Sequence, residues 1–193
     1  MVRVGAIVLA AGEGRRFGGN KLIVTVDGEP VITRALRALN GIDRVIIVGA
    51  YAEELLHYLR NEVVIYNPNY REGISTSIRL GLRFFQDYDA VLIVLGDMPL
   101  ITRETINKII NTYREGCTAV IPTHKGLRGN PVLIHRSLFN ELMRLKGDVG
   151  ARELLRDRAD VCYVECGPEV IMDIDTLDDL ARIERIIKEY GEQ

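Results

Sequence analysis

Short apolar runs alternate with amphipathic stretches along this 193-residue chain, and that alternation restricts its fold more than any other feature. Parallel strands covered on both faces read as continuous apolar runs, whereas the helices between them carry apolar residues every three or four positions. The pattern therefore predicts an α/β fold with a mostly parallel sheet and right-handed crossovers. Strands are predicted at residues 3–10, 44–48, 63–66, 90–95, 119–122, 132–134, 161–164 and 170–174.

Helical stripes are predicted at residues 30–39, 74–85 and 106–113 and from Thr176 onward. Pro30 suits the start of a helix, and Thr176 opens the sequence TLDD, which has the form of a capping box. The chain is long enough for one sizeable core and short for two, so residues 1–193 are predicted to form a single domain. Residues 123–165 are less regular and are expected to hold an excursion from the sheet.

The composition argues against several classes of partner. The chain is 47% hydrophobic and 27% charged with a net charge of −2, so it offers no general attraction for nucleic acid or anionic lipid. No apolar run reaches the roughly 20 residues that span a bilayer, and no cleavable signal is evident. We therefore expect a cytoplasmic protein that has no nucleic-acid partner and no membrane partner.

The three cysteines do not predict a disulfide framework. Cys162 and Cys166 are four residues apart at the end of a predicted strand, where both would point to one face. No histidine or acidic cluster accompanies them, so a metal site is disfavoured. We expect buried apolar thiols.

The first apolar run leads directly into a loop that is rich in glycine and positive charge. Glycines let backbone N–H groups approach an anion, and arginine and lysine neutralise it, so the loop is interpreted as a phosphate site. The alternative is a mobile, solvated turn. Neither a Walker loop nor a dinucleotide fingerprint fits the spacing. The loop residues are Gly12, Gly14, Arg15, Arg16, Gly18, Gly19 and Lys21.

Asp97 follows the apolar run AVLIVLG, which places it at the carboxyl end of a strand, where ligands collect in open α/β sheets. A carboxylate there, near a cationic loop, is interpreted as a ligand of Mg²⁺, which prefers oxygen donors and bridges substrate phosphates. The alternative is that Asp97 opens a turn before Pro99. Asp173 and Asp175 alternate in IMDIDT and therefore share one side of a predicted strand; helix capping is the alternative role for Asp175.

Motifs along most of the chain resemble those of a known family. They are LAAGEGRRFGGNK, GEPV, NPNYREGISTS, GDMP, RGNPVLI, GDVGARELL and DIDTLDDL, in this order. Together they are similar to the nucleotidyltransferases that include the molybdenum cofactor guanylyl- and cytidylyltransferases. The resemblance implies a Rossmann-like three-layer nucleotidyltransferase fold and a transfer from a nucleoside triphosphate that releases pyrophosphate.

The resemblance also implies roles for individual residues. Arg16, Lys21 and Asp97 are expected to be catalytic, and Asp97 and Asp175 to hold Mg²⁺, with Asp173 as a further candidate. The acceptor phosphate would attack the α-phosphorus in line, so no protein nucleophile is needed. The expected nucleotide-binding residues are Leu9, Ala10, Ala11, Gly12, Gly14, Arg16, Gly18, Lys21, Asn67, Gly73, Ser77 and Asp97; for Ser77, capping of the following helix is the alternative.

The resemblance separates a cytidylyl branch with LAAG from a guanylyl branch with LAGG, and this chain has Ala11. We therefore expect CTP as donor and a molybdopterin-type phosphate as acceptor, with a molybdoenzyme or its chaperone as recipient of the product. Met98 and Asn130 depart from the GDQP and GHPV of the cytidylyl branch. The expected acceptor-binding residues are Arg128, Gly129, Asn130, Pro131, Asp148 and Arg152, although Arg152 could instead lie on a helix face.

Three alternatives stay open. Within the same class, the chain could transfer guanylate or another nucleotide to a different phosphorylated acceptor. From other classes, it could be an NAD(P)-binding oxidoreductase or a nucleotide-sensing module.

Overall fold

The computed structural model describes residues 2–191. The strands are β1 Val4–Ala10, β2 Thr25–Val26, β3 Glu29–Pro30, β4 Asp43–Val48, β5 Val64–Tyr66, β6 Ala90–Leu95, β7 Ala119–His124, β8 Leu127–Arg128, β9 Val132–His135 and β10 Val161–Glu165. The α-helices are α1 Val31–Arg37, α2 Ala52–Leu56, α3 Ile74–Leu82, α4 Arg103–Thr112, α5 Phe139–Leu142, α6 Ala151–Leu154 and α7 Leu177–Gly191. Short 3₁₀ helices span Tyr70–Glu72, Arg136–Leu138 and Pro168–Ile171.

The main sheet has the strand order β10-β7-β9-β6-β1-β4-β5, and β8 pairs with β7 outside this path. β1 lies between β6 and β4 and is parallel to both. β9 is antiparallel to its two neighbours, β6 and β7. The sheet is therefore mostly parallel, as predicted, and its antiparallel strands β8 and β9 both lie within residues 123–165.

Hydrophobic residues on the two faces of the sheet form two separate clusters, because successive side chains of a strand point to opposite faces. Val8 belongs to the cluster that packs against α1, α4 and α7, and Ile7 belongs to the one that packs against α3, α5 and α6. Both side chains are fully buried. The result is the predicted arrangement of three layers, helices–sheet–helices.

The strand predicted at residues 170–174 is wrong. Val170 lies in the 3₁₀ helix Pro168–Ile171. The chain then passes beside the carboxyl end of β6 without forming a strand. Val170 and Ile174 are both fully buried, so a segment packed across the sheet edge carries the same apolar pattern as a strand. The backbone N–H of Ile174 donates to the carbonyl oxygen of Asp97 over 3.0 Å, which fixes this segment beside the end of β6.

The expectation for the cysteines also needs correction. Cys117 and Cys162 form a disulfide, with their Cα atoms 5.6 Å apart and a sequence separation of 45. Cys117 precedes β7 and Cys162 lies in the neighbouring strand β10, so the pairing depends on a strand order that local spacing does not reveal. Cys166 is the buried free thiol that was expected.

We expect reduction of this disulfide to lower the free energy of unfolding by about 4 kcal/mol, because a cross-link over a loop of this length restricts the unfolded chain. Denaturant unfolding with and without dithiothreitol measures the difference. The variant Cys166→Ala keeps the disulfide and should respond to reduction in the same way. Equal stability of the oxidised and reduced wild type would contradict the expectation.

Among residues 2–191, no helix is both long enough and apolar enough to cross a membrane. The single domain expected over residues 1–193 stays a prediction.

Candidate functional site

A cleft of about 580 Å³ opens at the carboxyl ends of β1 and β6. Its walls are the loop after β1, the turn after β6, and the residues around the start of α3. This is the position where open α/β sheets bind ligands. The sequence-predicted residues that line it are Leu9, Ala10, Ala11, Gly12, Gly14, Arg16, Lys21, Gly73, Ser77, Asp97, Asp148 and Asp175.

Three carboxylates form a cluster at this cleft, and two of them, Asp97 and Asp175, belong to its lining. Asp97, Asp173 and Asp175 each offer an oxygen, and the three oxygens lie within 4.8 Å of one another. Asp97 follows β6, whereas the other two arrive on the segment that crosses the sheet edge. Asp173 and Asp175 reach Asp97 although residues 170–174 do not form a strand. The hydrogen bond from the N–H of Ile174 to the carbonyl oxygen of Asp97 holds residues 172–175 beside the end of β6.

Two cations from the loop after β1 contact this acidic cluster. Nζ of Lys21 lies 2.6 Å from Oδ2 of Asp97 and 2.8 Å from Oδ1 of Asp175. Nη2 of Arg16 lies 2.6 Å from Oδ2 of Asp175. Lys21 is 16% exposed and Arg16 is 74% exposed, so the lysine is fixed in the cleft and the arginine lies at its surface.

Burial and charge act in opposite directions on Lys21 and Asp97. Burial favours the neutral amine, but the carboxylates of Asp97 and Asp175 outweigh it and raise the pKa of Lys21, so this side chain stays protonated. Burial raises the pKa of Asp97, and the ammonium group of Lys21 opposes that effect. Oδ1 of Asp97 is buried and has no hydrogen-bond partner among the described residues. This oxygen is therefore available to bind a cation or to accept a hydrogen bond.

The loop after β1 is folded back on itself. Gly14 adopts a φ of +58°, and a Cβ atom there would lie 2.1 Å from the carbonyl oxygen of Gly19, so the turn requires glycine. The N–H of Gly18 donates to the carbonyl oxygen of Gly14 over 2.9 Å. Gly18 therefore shapes the loop, and it is not among the described residues that line the cleft.

Asn67 binds the first turn of α3 from a buried position that is not among the described residues lining the cleft. Its side chain is 2% exposed and is not part of the cleft lining among the described residues. Nδ2 of Asn67 donates to Oγ1 of Thr76 over 2.8 Å and to Oγ of Ser77 over 2.9 Å. Asn67 thus holds Ser77, which does line the cleft, and its own role in nucleotide binding stays a prediction.

Residues 147 and 148 close the start of α3. The N–H of Ile74 donates to Oδ1 of Asp148 over 3.2 Å, and the N–H of Ser75 donates to the carbonyl oxygen of Gly147 over 3.3 Å. At Gly73, φ is +109°, and a Cβ atom would lie 2.2 Å from the carbonyl carbon of Gly147. The backbones of Gly73 and Gly147 thus touch with no room for a side chain.

We expect Gly73→Ala to cost about 2–3 kcal/mol of stability, because it combines an unfavourable positive φ with a clash against backbone. Thermal unfolding measures the loss. Gly116→Ala is a matched control, since Gly116 has a φ of +93° but a Cβ atom there meets nothing within 4 Å. A Gly73→Ala variant no less stable than Gly116→Ala would rule out the clash.

Most of the predicted acceptor residues lie away from this cleft. Of the set Arg128, Gly129, Asn130, Pro131, Asp148 and Arg152, only Asp148 is among the described residues that line it. Nη2 of Arg128 donates to the hydroxyl oxygen of Tyr163 over 2.7 Å, and Nη2 of Arg152 donates to the carbonyl oxygen of Arg128 over 3.2 Å. Both guanidinium groups are therefore engaged outside the cleft.

Asp179, rather than Asp175, caps the start of helix α7, which excludes the alternative role for Asp175. Oδ2 of Asp179 accepts from the N–H of Thr176 over 2.8 Å, and the N–H of Asp179 donates to Oγ1 of Thr176 over 3.2 Å. The capping box predicted from TLDD is confirmed. The carboxylate of Asp175 is thus left to face Lys21 and Arg16.

Several residues that line the cleft were missed by the sequence analysis, among them Glu13, Tyr51, Tyr70 and Arg71. Glu13 lies within the motif LAAGEGRRFGGNK, and Tyr70 and Arg71 lie within NPNYREGISTS, but the resemblance assigned them no role. Tyr51 carries no local signal. It is placed by a hydrogen bond from its hydroxyl to the carbonyl oxygen of Glu13, over 3.0 Å.

Comparison with known proteins gives a consistent result. The family model described as MobA-like NTP transferase domain matches residues 6–161. The molybdenum cofactor cytidylyltransferase of Escherichia coli (strain K12) is 30% identical, covering 93% of this chain and 94% of the relative. The probable molybdenum cofactor guanylyltransferase of Thermococcus gammatolerans is 31% identical, covering 92% and 97%.

Solved structures show the same fold. The crystal structure of Rv0371c from Mycobacterium tuberculosis H37Rv superposes with a TM-score of 0.83 at 25% identity, over 95% of this chain and 98% of that one. A complex of the same protein with manganese gives a TM-score of 0.80 at 24% identity, over 95% and 98%. The predicted three-layer nucleotidyltransferase fold is confirmed.

Proposed function

This chain belongs to the MobA-like NTP transferase family, and from that premise we propose that it transfers CMP from CTP to the phosphate of a molybdopterin-type acceptor, releasing pyrophosphate. The observation that carries the proposal is the contact of Lys21 with both Asp97 and Asp175. It joins a cation of the glycine-rich loop to the acidic cluster at the end of β6. Phosphates bound by the loop would therefore lie beside carboxylates able to hold a divalent cation.

Ala11 supports CTP as the donor. Ala11 is 8% exposed and lines the cleft, so its methyl group narrows the pocket beside the loop and favours a pyrimidine over a purine. A relative of similar identity is named as a guanylyltransferase, so GTP is the second donor to test. A molybdoenzyme or its chaperone would receive the product.

The acidic cluster has the chemistry that a divalent cation requires. Oδ1 of Asp97 is buried without a partner among the described residues, and two further carboxylates offer oxygens nearby. Mg²⁺ prefers such oxygen donors. Asp97 and Asp175 would hold the cation, with Asp173 beside them. When bound, the cation supplies charge neutralisation and polarisation at the reacting phosphate.

The remaining residues bind and orient the substrates. The loop from Gly12 to Gly18 would hold the β- and γ-phosphates, and Lys21 and Arg16 would neutralise their charge. Lys21 stays protonated because two carboxylates raise its pKa. An oxygen of the acceptor phosphate attacks the α-phosphorus in line, and pyrophosphate leaves, so positioning and electrostatics carry the catalysis.

Pyrophosphate release tests the proposal. The purified chain is incubated with CTP, GTP, ATP or UTP, with and without molybdopterin, in Mg²⁺ or Mn²⁺. We expect release with CTP that requires both the acceptor and the divalent cation. Preference for GTP would make the chain a guanylyltransferase. Stabilisation by NAD(P)H alone in a thermal shift, or triphosphate binding without release for any acceptor, would reject transfer.

A further inference from the structure

Strand β5 forms one edge of the main sheet and carries an exposed apolar surface. Its one neighbour among the described strands is β4. Val63 and Tyr66 are 56% and 55% exposed, and Leu56 and Tyr58 of the preceding segment are half-exposed. A groove of about 570 Å³ lies between this edge and α2. An exposed apolar edge is a template for pairing with another chain.

The opposite edge of the sheet is protected in a way that β5 is not. In β10, the hydroxyl oxygen of Tyr163 accepts from Nη2 of Arg128 over 2.7 Å. The same strand ends at Glu165, whose carboxylate accepts from the N–H of Lys125 over 2.8 Å. Charged side chains therefore lie along β10, whereas β5 consists of uncharged residues, Val64–Tyr66. β5 is the edge that is open to a partner.

The backbone groups that β5 offers at this edge belong to alternate residues. The carbonyl oxygen of Val63 and the N–H of Asn67 both bond to β4, over 2.9 and 2.8 Å. Successive residues of a strand direct their polar backbone groups to opposite sides. Residue 65 therefore faces β4 as well, and the N–H and C=O groups of Val64 and Tyr66 point away from the sheet.

These outward groups match those of a second copy of the same strand. When two β5 strands meet antiparallel about a two-fold axis at Ile65, Val64 of each copy lies opposite Tyr66 of the other. Opposed residues whose polar groups point at each other exchange both backbone hydrogen bonds. All outward groups of β5 are then paired, and the two sheets become continuous.

Other positions of the axis leave groups unpaired. An axis at Val64 would oppose Tyr66 to Glu62, whose N–H already donates within its own turn. An axis at Tyr66 would oppose Val64 to Pro68, which has no N–H. The axis at Ile65 is therefore the register that this edge favours.

Charges near α2 fit the same axis and favour a second copy over an unrelated peptide. Glu53 lies in the first turn of α2, at the carboxyl end of the strands, and lines the groove. Arg60 follows α2 and precedes the amino end of β5. Both residues are exposed. Antiparallel pairing brings the amino end of one β5 to the carboxyl end of the other, so Glu53 of each copy comes to the side where Arg60 of the other lies.

We propose that two copies of this chain form a homodimer by pairing their β5 strands antiparallel about a two-fold axis at Ile65, so that the two main sheets become one. Both α2 helices then lie on the same face of the joined sheet, and the contact covers Val63, Tyr66 and Leu56. Because short strands bury a small area, the dissociation constant is expected in the micromolar range.

Molar mass in solution tests the dimer. Light scattering and sedimentation over a concentration series up to the millimolar range should show a mass that rises from 21.7 kDa toward twice that value. Tyr66→Lys should keep the mass of one chain, since a lysine opposite Val64 places a charge in an apolar contact. Leu127→Lys is the control, at a 60% exposed position on β8, and should dimerise like the wild type. Circular dichroism checks that both variants are folded.

A charge exchange tests the axis. Glu53→Arg and Arg60→Glu should each weaken dimerisation about tenfold, because like charges then meet across the axis. An equimolar mixture of the two variants should associate to within about threefold of the wild type, because every opposed pair in the mixed dimer again joins unlike charges. A folding defect in one variant would not be repaired by mixing.

Cross-linking tests the register. In a Cys166→Ala background, oxidation with diamide should link Ile65→Cys chains to one another, because residue 65 lies opposite itself at a separation that a disulfide can span. Val63→Cys should cross-link far less, although Val63 is the more exposed residue. Non-reducing electrophoresis measures both yields.

A wild type that keeps the mass of one chain throughout the series, or that assembles beyond two chains, would overturn the proposal. So would a Tyr66→Lys variant that dimerises like the wild type, a mixture of the charge variants no tighter than either alone, or preferential cross-linking of Val63→Cys.

Discussion

Asp97→Asn is expected to lower the kcat of nucleotidyl transfer by at least about a thousandfold, which corresponds to about 4 kcal/mol of barrier. Asparagine keeps the shape of the side chain and removes the charge that would hold the divalent cation against the α-phosphate. The side chain of Asp97 is 15% exposed and belongs to the acidic cluster, so water offers little compensation. Pyrophosphate release under saturating CTP, acceptor and Mg²⁺ measures the loss.

Asp87→Asn is the matched control, because Asp87 is exposed and lies outside the cleft lining. It should retain wild-type turnover. A second readout separates metal binding from folding: the stabilisation that Mn²⁺ gives to the wild type should be lost in Asp97→Asn, while its circular dichroism spectrum shows that the variant is folded. Near-normal turnover of Asp97→Asn would show that this carboxylate does not hold the cation.

Lys21→Met is expected to destabilise the metal-free protein by about 3–5 kcal/mol, because it leaves the partly buried carboxylates of Asp97 and Asp175 without their cation. Added Mn²⁺ or Mg²⁺ should restore more stability to this variant than to the wild type, since a divalent cation replaces the lost charge. Activity should stay low even with metal, because the triphosphate also loses a cation. Thermal unfolding over a metal titration measures the effect.

Lys188→Met serves as control for this change, since Lys188 is an exposed residue of α7. Its unfolding temperature and metal response should match the wild type. If Lys21→Met were as stable as the wild type without metal, the contact of its ammonium group with the two aspartates would contribute nothing to folding.

Local patterns in the sequence were sufficient for the centre of the molecule. The run Ala90–Leu95 was predicted with the bounds that β6 has, because a strand buried on both faces is continuously apolar. Asp97 follows the carboxyl end of β6, and the glycine-rich loop directly follows the carboxyl end of β1. Because β1 and β6 are parallel neighbours, both lie at the same side of the sheet. The meeting of loop and carboxylate therefore follows from sequence and general rules of sheet topology.

What the sequence did not reveal depends on contacts between distant segments. The disulfide partner of Cys162 lies 45 residues away and becomes a neighbour only when β7 and β10 pair. Arg128 and Arg152 have suitable chemistry for an acceptor phosphate, yet the fold directs both to carbonyl and hydroxyl oxygens elsewhere. Arg71 shows the opposite case: no role was predicted for it from the sequence, yet its contact with Glu13 places it in the cleft.

The antiparallel strand β9 determines when the sheet can be completed during synthesis. β6 pairs with β1 on one side. On its other side it pairs with the antiparallel strand β9, which is synthesised about 40 residues later. A nascent chain that ends before β9 would expose the open side of a wholly apolar strand, the kind of surface that recruits other chains. Fragments ending before residue 130 should therefore aggregate, although they contain the whole phosphate loop and Asp97.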